Sequence, residues 1–317
     1  MEPQNVSFRV AREDLVTSVG WVARNLPTKP TQPVLRAMLI TADDEGLELA
    51  GYDYEVSTRV RVSAEVAVPG RIAVAGKILS EIIGTLPNKP VDFRLDGSKV
   101  LVSCGSASFE LPSIPLDDYP PLPSLPERTG SINPKLFTEA VTQVASAAGK
   151  DDSLPMLTGV NMEIHGNQIS LAATDRFRLA VRTFQWDQIP DGDAELLIPA
   201  KTLADTARAL DPGSSEPVTL AFGDGSDGRA LGAEGMLGIL ADPRRTTTRL
   251  LDADFPKFRP LLPKQHSSLA SIRIDPLREA IRRVSLVADR GAQIRMDFSE
   301  GQVVLSAHGD EAGRAEE

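Results

Sequence analysis

One glycine-rich segment has the spacing of a phosphate-binding loop. Gly223-Asp-Gly225-Ser-Asp-Gly228 resembles the glycine pattern of dinucleotide sites, in which backbone N–H groups meet a pyrophosphate where a helix begins. The glycine-rich residues that follow, Arg229 to Gly238, predict a poor helix. Because Gly and Asp favour turns, a hairpin between strands is the better interpretation. Asp96-Gly97-Ser98, at the comparable place earlier in the chain, supports that hairpin.

Histidine and cysteine give little sign of catalysis or metal binding. His165, His266 and His308 are far apart in the sequence and match no metal-ligand spacing. Cys104, the only cysteine, ends an apolar run, so a buried structural thiol is expected rather than a nucleophile. We therefore predict no catalytic residue, no metal and no cofactor. A single cysteine also excludes an internal disulfide and favours a reducing compartment.

Two aspartates occupy matching places 122 positions apart. Asp53 follows Leu49-Ala-Gly-Tyr52, and Asp175 follows Leu171-Ala-Ala-Thr174. A pair of carboxylates could serve acid–base chemistry. Their positions in successive copies of a repeat instead predict two separate structural turns.

Basic residues accompany the predicted helices, although the formal net charge of the 317-residue chain is −10. They are Arg24, Lys29, Lys150, Lys201, Arg208, Arg278, Arg282, Arg283 and Arg290. An ordinary solvated helix face would explain them. If the repeats surround an axis, however, these faces converge on a surface that grips phosphates without reading bases. Aromatic residues make up only 5% of the chain, so base stacking on single strands is not expected.

The helices that carry these residues recur at a fixed interval. Leu15, Val19, Val22 and Leu26 form one helical face, and Phe137, Val141, Val144 and Ala148 repeat it 122 residues later. Leu277, Ile281, Val284 and Ala288 form a third copy. Further helices are predicted over 73–86 and 201–210. An offset kept over such a distance indicates an internal repeat.

Alternating strands and proline-rich segments complete each copy. Strands are predicted at 6–10, 38–41, 47–49, 56–68, 91–95, 99–104 and 107–111, and in the third copy at 294–298 and 303–305. Proline-rich stretches at 114–126 and 251–263 are predicted to be stiff, extended linkers. The predicted fold class is α+β with three domains, at 1–128, 129–264 and 265–317. Because no apolar run approaches the length of a bilayer span and no signal peptide precedes the chain, a cytoplasmic protein is expected.

The three-fold repeat, both proline-rich segments and Thr174-Asp-Arg-Phe-Arg-Leu179 resemble the bacterial DNA sliding clamp family, the beta subunit of DNA polymerase III. Residues 287–293 and 313–317 are similar to its actinobacterial branch. The resemblance implies a DNA-clamp fold, with antiparallel sheets outside and helices lining a ring. It also implies a non-catalytic, head-to-tail homodimer that encircles duplex DNA of any sequence and tethers the polymerase as a processivity factor.

The family's partners and sites give further expectations. Implied partners are the polymerase III catalytic subunit, the clamp loader, and other DNA polymerases and repair proteins that carry clamp-binding peptides. The family binds such peptides between its second and third domains, and the matching residues are Leu157, Thr174, Arg176, Phe177, Arg178, Leu179, Pro256, Pro260 and Leu261. Arg176 and Phe177 replace the glycine and histidine of the enterobacterial pattern. Matching or neighbouring DNA-contact residues are Arg24, Lys29, Lys150, Lys201, Arg282 and Arg295.

Aligned with the first copy of the repeat, the third copy is only part-way through at the last residue, Glu317. A complete third copy, as in family chains, would need about 60 residues more. A third domain without its second half would have unpaired strand edges, and ring closure would be compromised. The alternative expectation is therefore a truncated clamp that binds partner peptides without encircling DNA.

Overall fold

A computed structural model describes residues 5–125, 128–188, 193–222, 235–289, 291–310 and 312–317. The chain divides into two compact units, Met1–Lys257 and Phe258–Glu317. The first unit holds two copies of one arrangement of strands and helices. The glycine-rich segment 223–228, predicted to be a hairpin, lies outside the described residues.

The first repeat contains nine strands and two helices. In chain order these are β1 (Ser7–Val10), α1 (Arg12–Asn25), β2 (Ala37–Asp43), β3 (Gly46–Tyr52), β4 (Val56–Val62), β5 (Ala64–Val68), β6 (Gly70–Ala75), α2 (Gly76–Thr85), β7 (Val91–Asp96), β8 (Lys99–Cys104) and β9 (Ala107–Pro112). A 3₁₀ turn, Pro33–Arg36, precedes β2. Leu15, Val19, Val22 and Leu26 are all buried, as the helical spacing predicted.

The second repeat follows the same order. Its elements are β10 (Arg128–Ile132), α3 (Pro134–Ala145), the short helix α4 (Pro155–Thr158), β11 (Gly159–His165), β12 (Gln168–Thr174), β13 (Leu179–Gln185), β14 (Asp187–Gln188), β15 (Asp193–Pro199), α5 (Ala200–Arg208), β16 (Val218–Ala221), β17 (Met236–Ala241) and β18 (Arg244–Arg249). Asn133 caps α3, because its side-chain oxygen accepts the N–H groups of Lys135 and Leu136.

The second unit holds the start of a third copy. Its elements are α6 (Ile274–Val284), β19 (Arg295–Ser299), β20 (Gln302–Gly309) and β21 (Gly313–Glu316), with 3₁₀ turns at Arg259–Leu261 and Ser285–Val287. The three strands form one antiparallel sheet in the order β19-β20-β21. Val284, Leu305 and Ala307 are the centre of its small core. The strand β21 was not predicted from the sequence.

The first two repeats share one antiparallel sheet. Within each repeat, four strands pair in the same way, β4-β3-β2-β6 in the first and β13-β12-β11-β15 in the second. The first repeat's other sheet has the order β5-β1-β7-β8-β9. Its counterpart β14-β10-β16-β17-β18 does not stay separate, because β18 pairs with β4 to make a nine-stranded sheet. The repeats are therefore joined by backbone hydrogen bonds as well as by the connecting segment.

The two repeats have separate apolar cores with helices packed on the sheets. α1 and α2 pack on each other in the first repeat, and α3 and α5 do so in the second. Leu79 and Ile83 of α2, and Leu203 and Ala207 of α5, point into these cores. Cys104 is a buried free thiol, as predicted.

Two elements predicted from the sequence differ from those of the structure. The single strand predicted over 56–68 is two strands, because the chain leaves one sheet at Ser63 and enters the other. The helix predicted over 73–86 begins at Gly76, since residues 73–75 pair with β2. Helical spacing identified Leu79 and Ile83 as buried but also predicted Ile78, which is 52% exposed, on the apolar side of α2. Alternation does not show where a strand changes sheet.

The first proline-rich segment also differs from the expected free linker. Residues 113–118 contain no helix or strand, yet the segment packs back on the sheet face opposite the helices. Tyr119 is buried there against Leu39, Ala50 and Ala73. The Arg59 guanidinium donates to the carbonyl of Pro123, which holds the segment at that residue. The segment is thus part of the domain packing.

Candidate functional site

The turn at residues 174–179 is held by two side chains. The Oδ1 atom of Asp175 accepts the backbone N–H groups of Phe177 and Arg178, each at 3.1 Å. The hydroxyl of Thr174 donates to the carbonyl of Arg178 at 2.7 Å and accepts the N–H of Arg176 at 3.2 Å. Residues 174–178 therefore form a closed loop between β12 and β13, with Leu179 at the first position of β13.

The electrostatics of this turn involve Asp175 and Arg178. The Arg178 Nε donates to Asp175 Oδ2 at 3.1 Å. Desolvation alone would raise the pKa of Asp175, but the N–H groups of Arg178 and Phe177, with the Arg178 guanidinium, hold that pKa below its ordinary value. Asp175 thus accepts the backbone hydrogen bonds that hold this turn, which is the structural role predicted from its place in the repeat.

Three of the predicted apolar residues of the second repeat differ in their exposure. Phe177 is 91% exposed, whereas Leu157 is buried on α4 and Leu179 is half-buried. Gly149 lies against Leu157, and its N–H donates to the Leu157 carbonyl at 2.7 Å. Pro256 is exposed at the end of this unit. The predicted residues of the first unit thus include a buried leucine, a half-buried leucine and an exposed aromatic ring.

Pro260 and Leu261, also predicted for this site, belong to the second unit. Both lie in the 3₁₀ turn Arg259–Leu261, and Leu261 is 73% exposed.

The predicted DNA-contact residues are exposed cations. Arg24 lies in the last turn of α1, Lys29 and Lys150 in loops after α1 and α3, and Arg282 in the last turn of α6. Among the described residues these four form no ion pair with a carboxylate. Arg290, another of the basic residues noted in the sequence, lies outside the described residues.

Other predicted cations already have acidic partners. Lys201 and Arg208 both contact Asp205 of α5, at 2.9 and 2.6 Å. Desolvation raises the Asp205 pKa, but Lys201 and then Arg208 outweigh it, so that the pKa is lowered. Arg295 lies on a strand and pairs with Asp297 at 2.8 Å. Arg278 and Arg283 pair with Asp275 and Glu317. These residues therefore have less free charge for a phosphate than Arg24 or Lys29.

One cation that matters for the fold was not predicted. Arg244, at the start of β18, donates to the Ala209 carbonyl just after α5, and its guanidinium lies 5.6 Å from the centre of the Trp21 ring on α1. Desolvation, followed by the nearby Arg24, lowers the Arg244 pKa. Arg244 thus connects the helices of the two repeats. Nothing in its local sequence distinguishes it from the adjacent Arg245.

The described residues provide no metal centre. No group of three or more His, Cys, Asp or Glu side chains in them could hold a metal ion. His165 ends β11 and contacts Asp193 at 3.2 Å, beside the turn at Gly166. In the same part of the chain, no helix combines the length and the apolar character that a membrane crossing requires.

Repeated modules of antiparallel sheet and paired helices, joined through one continuous sheet, define a protein of the DNA-clamp class. Residues 6–123, 131–257 and 259–317 match the N-terminal, central and C-terminal domains of the DNA polymerase III beta subunit. The chain therefore belongs to the bacterial beta sliding clamp family, the non-catalytic processivity subunit of DNA polymerase III.

Individual relatives agree with this assignment. The beta sliding clamp of Streptomyces coelicolor is 45% identical over 98% of this chain, which spans 81% of that protein. A beta sliding clamp of Micrococcus luteus is 41% identical, with 98% of each chain covered. The structure of a Pseudomonas aeruginosa sliding clamp bound to griselimycin matches with a TM-score of 0.83 and 27% identity, over 99% of this chain and 83% of that one.

Proposed function

We propose that this chain is a processivity factor that encircles duplex DNA and tethers a replicative polymerase. The observation that carries the proposal is the head-to-tail junction between the repeats, in which β18 of the second pairs with β4 of the first. Because each repeat contributes a different strand to this junction, the same contact can add one repeat after another. If the rotation that relates successive repeats closes on itself, head-to-tail contacts of this kind generate rings.

Two further strand edges are consistent with a repeated junction. β9 has the place in the first repeat that β18 has in the second, and β13 corresponds to β4. Within the described residues, β9 pairs only with β8, and β13 only with β12. β9 can therefore accept a strand of the β4 type, and β13 can accept a strand of the β18 type. We propose that further junctions of this kind build a homodimeric ring from three-domain chains, divided at 1–128, 129–264 and 265–317.

DNA contact is assigned to the exposed cations on and beside the helices. Arg24, Lys29, Lys150 and Arg282 are the principal candidates, because these four have no acidic partner among the described residues. Lys201 and Arg295 are secondary, since their charge is shared with Asp205 and Asp297. Contacts of this type bind phosphates irrespective of sequence, which suits a protein that moves along DNA.

Partner binding is assigned to the second repeat. Leu157 and Leu179 provide apolar surface, the exposed ring of Phe177 adds to it, and the Thr174–Arg178 turn supplies fixed polar groups. Such a surface suits a peptide with an aliphatic or aromatic anchor. The proposed partners are the polymerase III catalytic subunit, the clamp loader, and other polymerases and repair proteins. The higher identity to the Streptomyces and Micrococcus proteins supports an actinobacterial-type clamp. A cytoplasmic location follows from the proposed role in DNA replication.

Topological retention on DNA tests the ring. The protein is assembled by its clamp loader on nicked circular DNA, and the amount bound is measured before and after a restriction enzyme linearises the circle. We expect retention on the circle and rapid loss from the linear product, because only a closed ring depends on DNA ends. Equal retention on both forms would contradict encirclement.

A peptide-binding measurement tests the partner surface. The change Leu179→Asp places a carboxylate on the apolar surface and should abolish binding of a peptide from the polymerase catalytic subunit. Gln185→Asp is the matched control, because it adds the same charge to an exposed position of the same strand. If both variants bind equally well, the second-repeat surface is not the binding site.

A further inference from the structure

The first repeat contains a pocket beside its own proline-rich segment. Its cavity volume is about 900 Å³, within the range of ligand sites. The pocket lies between the 3₁₀ turn Pro33–Arg36, the start of α2 and residues 114–118. All of these residues belong to the first unit, so the pocket is complete without the third copy.

The pocket is built from elements that match those of the proposed partner surface. Pro33-Val-Leu-Arg36 corresponds to Pro155-Met-Leu-Thr158, with Leu35 and Leu157 both buried. Each proline-rich segment attaches to its repeat by the same hydrogen bond. The Ile114 N–H donates to the Ala73 carbonyl, and the Leu251 N–H donates to the Leu197 carbonyl, both at 2.8 Å.

The pocket wall combines apolar surface with cations. Val34, Ile114 and Pro115 provide apolar atoms, and Ile78 is 52% exposed although it lies on a helix with a well-packed opposite face. Two cations, Lys77 and Arg36, line the same cavity. This is the composition of a site that takes one apolar group and one anionic group.

The position of Lys77 differs from that of its counterpart in the second repeat. Lys201 forms an ion pair with Asp205, four residues along α5. Lys77 instead donates to the Thr28 hydroxyl at 2.8 Å, on the pocket lining, and forms no ion pair with the equivalent Glu81 among the described residues. Asp118 is the one carboxylate on the lining, against two cations. The ammonium group therefore remains available to an anionic ligand.

The turn of the first repeat contacts one residue of the pocket lining. The hydroxyl of Tyr54 donates to Oε1 of Gln32, a lining residue, at 3.3 Å. Arg176 has the corresponding place in the second repeat. A neutral aromatic residue therefore contacts the lining residue Gln32 where the second repeat has a cation, so the two sites should prefer different sequences.

We propose that this pocket is a second docking site for a short extended peptide of a partner protein. The peptide would place an aliphatic side chain against Ile78 and Ile114 and a neighbouring carboxylate beside Lys77. This assignment rests in part on the proposed partner surface of the second repeat, through the matching elements. The charge complementarity and the exposed Ile78 are independent of it.

Methyl NMR on the complete chain tests the proposal. The protein carries ¹³C at isoleucine δ1 methyls and the change Leu179→Asp, which removes the second-repeat surface. The probe is the peptide acetyl-Gly-Leu-Asp-Gly-amide, titrated into the millimolar range. We expect saturable shifts at Ile78 and Ile114, about tenfold weaker binding for Lys77→Met, and a similar loss when the probe carries Asn in place of Asp. Lys135→Met, which removes a positive charge from an exposed position on α3, is the control for loss of charge alone.

The outcomes separate this inference from the proposed function. Shifts at Ile78 and Ile114 that depend on Lys77 and on the probe carboxylate support the pocket, whether or not the ring retains DNA. Absence of shifts at these methyls overturns the pocket and does not bear on the proposed partner surface of the second repeat. Shifts that are equal for Lys77→Met and Lys135→Met, or for the Asp and Asn probes, also overturn it, because the proposed recognition of a carboxylate would then be wrong.

Discussion

Asp53 and Asp175 support the same turn in two successive repeats. Asp53 Oδ1 accepts the N–H groups of Glu55 and Val56, as Asp175 Oδ1 accepts those of Phe177 and Arg178. The residue after each aspartate has a positive φ, 73° at Tyr54 and 79° at Arg176. At this turn the two repeats therefore share their hydrogen bonds and backbone conformation as well as their sequence positions.

The first prediction concerns this hydrogen bonding. Asp175→Ala should lower the free energy of unfolding, because the backbone N–H groups of Phe177 and Arg178 lose their side-chain acceptor. Asp175→Asn keeps an oxygen acceptor and should cost less, since only the exposed ion pair with Arg178 is lost. Urea denaturation measures both. Equal destabilisation by Ala and Asn would show that the charge, rather than the backbone acceptor, supports the turn.

The second prediction concerns the positive φ of Arg176. Arg176→Gly should stabilise the protein by about 0.5 kcal/mol, because glycine adopts this conformation without steric cost. Arg176→Val should destabilise it, since β-branched residues are disfavoured there. Tyr54→Gly is the comparison, and it should bring no gain because it removes the ring that packs on Tyr52. Thermal unfolding ranks the variants, and a destabilised Arg176→Gly would contradict the prediction.

The third prediction concerns the link between repeats at Arg244. Arg244→Met should lower stability by about 2 kcal/mol, because the Ala209 carbonyl loses a charged donor and Trp21 loses its cation. Arg245→Met is a control on the next residue. Arg245 lies directly opposite Arg59, and removing one of two like charges should be neutral or slightly stabilising. Urea denaturation that gives equal losses for the two variants would rule out a special role for Arg244.

The fourth prediction concerns the salt dependence of DNA binding. Replacing Arg24 or Lys29 with Met should weaken binding to a short duplex for every sequence. It should also reduce the slope of log affinity against log salt by about one for each phosphate that the variant no longer neutralises. Lys201→Met should have a smaller effect, because its charge is shared with Asp205. Lys99→Met, which removes a lysine paired with Glu110, is the control. Fluorescence anisotropy over a range of salt provides the slopes, and a slope unchanged in Arg24→Met and Lys29→Met would remove them from the DNA-binding surface.

The fifth prediction concerns pH. Because the pKa of Asp205 is lowered in the folded state, its ionised form contributes stability above the unfolded pKa of about 3.9. That contribution is lost as the pH falls through the lower folded pKa. The difference in stability between the native protein and Asp205→Asn should therefore shrink between about pH 5 and pH 2. A difference that stays constant or grows on acidification would contradict this assignment.

Local patterns in the sequence were enough to identify most of the elements and their repetition. The helical spacing of Leu15 to Leu26 identified the buried face of α1, because one face of a helix must be apolar to pack. Asp-Gly and Thr-Asp sequences identified turns, since their preferences act over a few residues. The resemblance to the clamp family rested on the same features, and the family comparisons support it.

Which distant strand edges and charges meet depends on the packing of the whole chain. The alternating run Val56–Val68 does not show that its first half pairs with β18 and its second with β1, because a strand edge offers the same N–H and C=O groups to any partner. Arg244 and Arg245 are adjacent and chemically identical. One binds Ala209 and Trp21 while the other faces Arg59, since successive side chains of a strand point to opposite faces. Local preferences fixed the elements, whereas the junction of the repeats depends on long-range packing that no short stretch of sequence encodes.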